Sequence, residues 1–365
     1  MEKKIFFTLL SCLTAAMLIQ IKPLYAEANY LNQEILDDIS LSPKLSLSSF
    51  WKQSLEQFLD ANSHIEWSKE EENDNQVTLT VTNLQNFSIW TLHPTSVKIA
   101  FKNNTPDQLI INIWNKGDSK PNDYIKTSNI CRKTRRKLKD AGIKPTKTKQ
   151  KLNSVVSYKW ENYKMEETIL SFCIKKKEYI MLRLKSSKIT NTKKEKKINK
   201  AEWEAKLKKN VKFGKNQNEG DVFIYDIPML NQKGKGYCAP ATFARVLLYY
   251  GIEVDMHLLA DLMDTKEGTG GTSLKKMEQS LNQLCKGLPF SYKKIPSFSP
   301  RSIKKYIDRG IPLVWLIPDH LRLIIGYNKE KKEIIYSDTW GYWHKYKKMP
   351  NKEANRITKK IYVLE

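Results

Sequence analysis

The sequence predicts an α+β protein in two folded units, and three observations lead there. Residues 29–185 carry an amphipathic helical pattern followed by short alternating apolar segments. Residues 220–365 place an opening strand and four helical patterns ahead of four strand patterns, an order that separates helices from an antiparallel sheet. Between them, residues 186–219 are rich in Lys, Asn, Gln and Gly and cannot bury much apolar surface, so they read as a basic linker in which "KAEWEAKLKKNV" can form a helix. At 365 residues the chain is too long for one ordinary core and short for three domains.

The first residues stand apart from the fold. Lys3 and Lys4 precede an apolar run from Ile5 to Ile21, and "AEA" at Ala26 to Ala28 offers a small-x-small cleavage site. Residues 1–28 therefore read as a secretory signal peptide, and export to the periplasm, the cell surface or the medium is expected. A retained membrane anchor is the competing reading, because the run is near the lower length limit for a bilayer span. "LLSC", ending in Cys12, is a weaker lipoprotein signal, since the apolar stretch continues past it.

The formal net charge is +24, from 63 Lys plus Arg against 39 Asp plus Glu. Such a charge favours association with an anionic cell envelope, although lysines scattered through a chain rich in Asn and Ile are equally explained by residue usage. Only residues 193–215 cluster them, with Trp203 as the one aromatic in the helical part. That is a solvated helix or linker, and no specific nucleic-acid binding is expected.

In the N-terminal unit, Trp51, Leu55, Phe58 and Leu59 recur at helical spacing, with Ser48 or Ser49 available as N-cap. "QVTLTVT" alternates as a strand, "VKIAF" and "QLIINIW" flank the turn signal "KNNTPD", and "ETILSFCI" and "EYIMLRL" flank "KKK" as a further hairpin. "CRKTRRKLKDAG" reads as a surface helix ending at Gly142. His64 and His93 are isolated, and a disulfide between Cys131 and Cys173 is left open by the sequence. Nothing here carries recognisable chemistry, so a propeptide, a recruiting module and an adhesion module all remain open.

The second unit opens with "DVFIYDIPML", followed by "QKGKGYCAPATFARVLLYYG". Phe243, Val246, Leu247 and Tyr250 define the apolar face of a helix that Gly251 should end. Proline is tolerated only in the first helical turn, so Pro240 puts Cys238 at the helix N-terminus itself. Helices follow at "DMHLLADLMD", "SLKKMEQSLNQLCKG" (N-cap Thr272 or Ser273) and "SPRSIKKYIDRG", then strands at "IPLVWLI", "HLRLIIGYN", "KEIIYSDTW" and "RITKKIYVL". "GTGGT" lacks the Lys and strand context of a phosphate loop and reads as a flexible connection. His257 and Cys285 read as helix-face packing residues and His344 as a surface residue.

A helix N-terminus favours the thiolate through its partial positive charge and unpaired N–H groups, which makes Cys238 a candidate nucleophile. His320 begins a strand after "IPD", and Asp338, eighteen residues on, ends the neighbouring hairpin strand. Strand pairing should bring the two together, so the carboxylate can hold the imidazole in the tautomer that accepts the thiol proton. Gln232, six residues before Cys238, can donate its amide to the oxyanion formed when the sulfur attacks a carbonyl, alongside the Cys238 N–H. No CxxC or Cys/His spacing points to a metal, and no cofactor is expected.

Over residues 221–365 the Gln-x5-Cys spacing, "YCAPAT", the "GTS" before a later helix, the "GIP" strand, "DHLRLIIGYN" and "IIYSDTWG" together resemble the C39-like cysteine peptidases of the papain-like superfamily. The resemblance implies a papain-like fold, with a helical half and an antiparallel sheet half, and cysteine-type hydrolysis of a peptide or protein substrate. It implies Cys238 as nucleophile, His320 as general base and acid, Asp338 as orienting residue and Gln232 in the oxyanion hole. Ala239 stands where many members have Gly. The bacteriocin-processing members are fused to a transporter that is not seen here, so their double-glycine specificity is not carried over. Transglutaminase-like acyltransferases share the Cys, His, Asp order, peptidoglycan amides are an alternative substrate, and a catalytically silent peptide-binding module is the non-enzymatic alternative. The glutamine ahead of the cysteine favours the papain-type arrangement. Substrate identity and oligomeric state are not legible.

Overall fold

Val97, Ile99 and Phe101 alternate along one strand with Lys98, Ala100 and Lys102, and the apolar set is buried while the other faces outward. That period of two is what a strand with one face on a core requires. In this computed structural model the described residues are 34–365 apart from 42–43, 45–48, 74–75, 117–118, 120–122, 153–155, 188–199, 214–219, 226, 233–235, 253 and 267–269. Residues 1–28, where the export signal is expected, lie outside them. Among the described residues, no helix is long and apolar enough to cross a membrane. Contacts divide the chain into two compact units of mixed helix and antiparallel sheet.

The first unit is built on an eight-stranded sheet. Its strands are β1 (Trp67–Asn73), β2 (Gln76–Val81), β3 (Ser96–Lys102), β4 (Thr105–Asn115), β5 (Thr146–Lys151), β6 (Ser157–Lys164), β7 (Thr168–Lys175) and β8 (Tyr179–Ser186), in the spatial order β1-β2-β3-β4-β8-β7-β6-β5. The expected hairpins form, β3 to β4 through Asn103 and Asn104, whose φ values of 49° and 63° suit a tight two-residue turn. Helix α1 (Leu55–Ala61) is capped by Ser54 in a reciprocal box with Gln57, and not by Ser48 or Ser49. Phe50 to Lys52 form a separate 3-10 turn, so the helix begins later than the apolar spacing suggests. Helix α2 (Asp123–Asp140) ends at Gly142 as expected but starts well before the basic run. Cys131 and Cys173 are both buried, and neither is joined in a disulfide in this structure.

The second unit begins inside the stretch expected to be a linker. Helix α3 (Lys200–Lys209) buries Trp203 and Leu207, and Trp203 packs edge-on to Tyr250 at 4.8 Å and stacks on Phe290 at 5.5 Å. Two large apolar side chains, spaced four apart among lysines, make this helix part of the core, so "solvated linker" does not hold for residues 200–213. At Gly310, with φ +73°, a Cβ would lie 2.1 Å from the Leu207 carbonyl oxygen, so a side chain there would push the helix away.

The second sheet also has eight strands: β9 (Val211–Phe213), β10 (Asp221–Ile224), β11 (Tyr292–Ile295), β12 (Leu313–Ile317), β13 (His320–Asn328), β14 (Glu333–Ser337), β15 (Lys347–Pro350) and β16 (Lys360–Leu364). They run β11-β16-β12-β13-β10-β9, with β14 paired to β13 and to β15. The remaining helices are α4 (Cys238–Tyr249), α5 (Met256–Leu262), α6 (Leu274–Leu284), α7 (Pro300–Ile307) and α8 (Asn351–Ile357). Asp255, Ser273 and Ser299 cap α5, α6 and α7 through their side chains. Only the last part of "RITKKIYVL" is strand, because Arg356 and Ile357 complete α8.

Candidate active site

Cys238 is the first residue of α4, with Pro240 in the first turn and Gly251, φ +79°, just past the end. Cys238, Thr242 and Arg245 recur at i, i+4 and i+7, which puts them on one face of the helix. That face meets the sheet: the Thr242 hydroxyl donates to the Leu321 carbonyl at 3.4 Å, and the Arg245 guanidinium donates to Ser337 Oγ at 2.6 Å. The nucleophile candidate is thereby held against the ends of β13 and β14. Its thiol is free and half-buried.

His320 opens β13 directly after a two-residue turn in which Asp319 has φ +56°. Its Nε2 lies 2.6 Å from Asp338 Oδ1, and Cys238 hydrogen-bonds the same ring. With Nε2 committed to the carboxylate, Nδ1 is the nitrogen that remains for the sulfur. The sheet register explains the first contact. Between Asn328 and Gly326 the β13–β14 pairing runs Asn328↔Glu333 to Gly326↔Ile335, and an irregularity then shifts it to Ile324↔Tyr336 and Leu323↔Ser337. Carried one step on, that shifted register sets Asp338 opposite Arg322. Without it, Asp338 would stand opposite the fully buried Leu323, on the other face of the sheet. Arg322 and His320 are two apart on one strand and share a face, so the bulge delivers the carboxylate to both. Arg322 Nε donates to Asp338 Oδ2 at 2.7 Å.

Gln232 is buried, and its position is set from the residue after Asp338. The Gln232 N–H donates to the Thr339 carbonyl at 2.8 Å, and the Thr339 hydroxyl donates to Gln232 Oε1 at 2.6 Å. The amide oxygen is thus occupied, and the Nε2 hydrogens are left for another acceptor. The Thr339 N–H donates back to Asp338 Oδ1 at 2.7 Å. Gly236, φ +93°, sits against the bridged pair Lys266 and Gly271; a Cβ there would lie 2.7 Å from the Lys266 carbonyl oxygen, so the chain entering Cys238 needs glycine. Residues 233–235 and 267–269 of the two flanking loops lie outside the described residues.

The electrostatics favour an ionised pair of His320 and Asp338. Burial opposes charge on the imidazole, but hydrogen bonds with Asp338 and Cys238, and their charges, raise its pKa to about 9. Burial likewise works against the Asp338 carboxylate, yet His320, Arg322 and the Thr339 N–H hold it below its ordinary range. A third cation lies behind it. Arg245 is fully buried and donates through Nε to the Pro228 carbonyl at 2.8 Å; burial lowers its pKa to about 10 against the opposing field of Asp338.

All four sequence-predicted residues are therefore drawn to one place, joined by Thr339 and α4. The sequence reading missed Thr339, Arg322, Arg245 and Trp340, whose ring centroid is 5.7 Å from that of His320. The i+2 spacing of Arg322 from His320 and the i+7 spacing of Arg245 from Cys238 were the available signals. His257 is buried beside Tyr237, at 5.5 Å between ring centroids, in keeping with a packing role. Among the described residues, no group of three or more His, Cys, Asp or Glu side chains converges as a metal site would.

No curated protein matches the chain. Residues 224–362, the segment that holds Gln232, Cys238, His320 and Asp338, match the Peptidase_C39 like family and mark a peptidase-related domain in the C-terminal region.

Proposed function

We propose that this protein is an exported cysteine peptidase that works through a thiol acyl-enzyme. The observation that carries the reading is the hydrogen-bonded line from Cys238 through His320 to Asp338, whose contacts raise the ring's pKa to about 9. In the proposed cycle, the Cys238 sulfur, as the thiolate of a thiolate–imidazolium pair, attacks the carbonyl carbon of the scissile amide and forms a C–S bond. The carbonyl electrons become an oxyanion that the Cys238 N–H and Gln232 Nε2 receive. Collapse breaks the C–N bond, and the imidazolium gives its proton to the departing nitrogen. A water then attacks the thioester as His320 takes its proton, and the returning sulfur leaves with the carboxylic acid formed. Asp338 supports both directions by stabilising the imidazolium and fixing the ring, while Thr339 holds Gln232 in place.

The test is the rate of alkylation at Cys238 against pH, mapped by peptide mass, in the wild type and in His320→Ala. Rapid labelling near pH 6 that slows in the variant is expected of a thiolate paired with imidazolium. Labelling that rises only above about pH 8 and ignores His320 is the behaviour of an ordinary thiol and would make the domain a silent binding module. Export is supported by the basic and apolar pattern of residues 1–28 and is checked by sequencing the N-terminus of the mature chain; an intact Met1 in the cytoplasm would overturn it. Association with an anionic envelope, supported by the net charge of +24, should be released by a high-salt wash of isolated envelopes, and retention at high salt would count against it.

A further inference from the structure

Among the described residues, seven large hydrophobic side chains are exposed, and four of them are rings in one region of the second unit: Tyr225 at 41%, Trp340 at 50%, Trp343 at 90% and Tyr346 at 40%. Scattered exposed apolar residues need no explanation, but rings gathered beside a reactive centre do. Three of the four lie on the single connection between β14 and β15, which begins at Asp338 and passes Trp340 over His320. The connection then runs to Tyr346, whose ring packs edge-on to Phe223 at 5.4 Å. Lysines are set among these rings. Lys345 Nζ lies 5.6 Å from the Tyr346 centroid and 5.8 Å from that of Tyr225, and Lys212 Nζ approaches Tyr225 at 5.8 Å. Neither ammonium is paired with a carboxylate among the described residues, and Lys347 beside them is exposed.

Position decides which part of a substrate meets this surface, and here the argument rests on the peptidase reading above. The group that protonates the departing nitrogen stands on the leaving side of the scissile bond. Trp340 and the rest of its connection extend from His320, so they meet the residues C-terminal to the cut. Rings offer stacking area at low entropic cost, and ammonium groups set between them select carboxylates. We infer that the β14–β15 connection, with Tyr225 and Lys212, is a leaving-side subsite for an acidic peptide segment that carries aromatic or bulky apolar residues.

Two measurements on the full chain separate this inference from the reading it rests on. In the first, Cys238→Ala protein is titrated into three fluorescein-labelled decapeptides followed by anisotropy: alternating Glu and Phe, alternating Lys and Phe, and alternating Glu and Gly. The Glu/Phe peptide is expected to bind at least tenfold tighter than either control. Trp343→Ala and Lys345→Glu, placed in the Cys238→Ala background, should each weaken it about tenfold with no change in melting temperature. Equal binding of the three peptides, or of the variants and their parent, overturns the subsite. So does tight binding of a neutral glycan oligomer that ignores Lys345→Glu. In the second, protein with Cys238 intact digests a peptide library, and the residues after each cut should be enriched in Phe, Trp, Leu, Asp and Glu, an enrichment lost in Trp343→Ala. Cuts without that enrichment count against the subsite alone. The expected binding pattern with no cuts at all refutes the peptidase reading and leaves the surface as a peptide-binding one.

Discussion

Asp338→Asn replaces a carboxylate by an amide of the same shape at the atom 2.6 Å from His320 Nε2, and its effect on the ring can be worked from the structure. In the wild type, burial opposes the imidazolium and the contacts with Asp338 and Cys238 outweigh it, so the pKa stands at about 9 against an ordinary 6.5. That gap corresponds to about 3 kcal/mol. Opposite charges about 4 Å apart interact by about 4 kcal/mol at an effective dielectric constant of about 20, so Asp338 can supply the gap and more. In the variant Arg322 and Arg245 still face the site, now with no carboxylate between them and the ring. His320 is therefore expected to titrate clearly below its wild-type value of about 9, with the raising contact of Cys238 the part that remains. The assay is imidazole-ring NMR on histidine-labelled protein, with the five histidines assigned by substitution. Stability must follow with a defined sign. A group whose pKa is raised on folding stabilises fully below its unfolded pKa and loses that contribution as pH rises through the folded one. The stability difference between wild type and Asp338→Asn should thus shrink between pH 6 and pH 10, by at most about 3 kcal/mol. A wild-type His320 that titrates near 6.5, or one that Asp338→Asn does not move, would refute the reasoning.

Four further outcomes follow from particular contacts. Thr339→Val removes the donor to the buried Gln232 oxygen, so acylation of Cys238 by an activated ester, which forms an oxyanion, should slow about tenfold to a hundredfold while alkylation by iodoacetamide changes less than about twofold; equal effects on both reactions would remove Gln232 from the oxyanion role. A fragment of residues 200–365 should resist urea better than one of residues 221–365 by about 5 kcal/mol, the worth of burying Trp203 and Leu207, and equal stabilities would show that α3 is dispensable to the core. Under native conditions Cys238 should react before the buried Cys131, whose thiol burial pushes up to about 12, and before Cys285, pushed up to about 11 by burial. After unfolding without reductant Cys131 and Cys173 should both be alkylated; a protein lighter by two hydrogens would mean that they are joined.

What could be read from the sequence was whatever local chemistry dictates. Pro240 in a first turn puts Cys238 at the head of a helix, a glutamine six residues upstream lies within reach, and the tight turn after Ile317 sets His320 at the head of a strand. That Asp338 returns to His320 also followed, because a hairpin pairs near residues in sequence. What could not be read is the face on which it returns. That depends on one irregular step beside Gly326, which has no room for a Cβ because the Val222 carbonyl oxygen would lie 2.5 Å away. Strand β5 was missed because "TKTKQK" has no apolar alternation; it is held by pairing at the sheet edge, where exposed lysines are suited to stay unpartnered. Helix α3 forms where the sequence allowed one, but its place in the core was missed, since two buried residues outweigh many solvated lysines once a core lies within reach.

Arg245 makes the dependence of local on distant structure concrete. A guanidinium with no exposed surface, whose Nη1 has no hydrogen-bond partner among the described residues, is costly by several kcal/mol unless a nearby anion offsets it. The carboxylate whose field acts on it is Asp338, and the link runs through Ser337, the last residue of β14. The same helix face carries Cys238 two turns earlier. If α4 rotated by one residue, or the β13–β14 register slipped by one, the sulfur would leave His320, the guanidinium would lose Ser337, and Asp338 would turn from Arg322 toward the core. Each loss buries an unpaired charge or polar group, so the wrong registers are penalised where the site is assembled. The charges around Asp338 therefore act twice: they keep the carboxylate ionised beside His320, and they select the one register of helix and sheet in which Cys238, His320 and Asp338 meet.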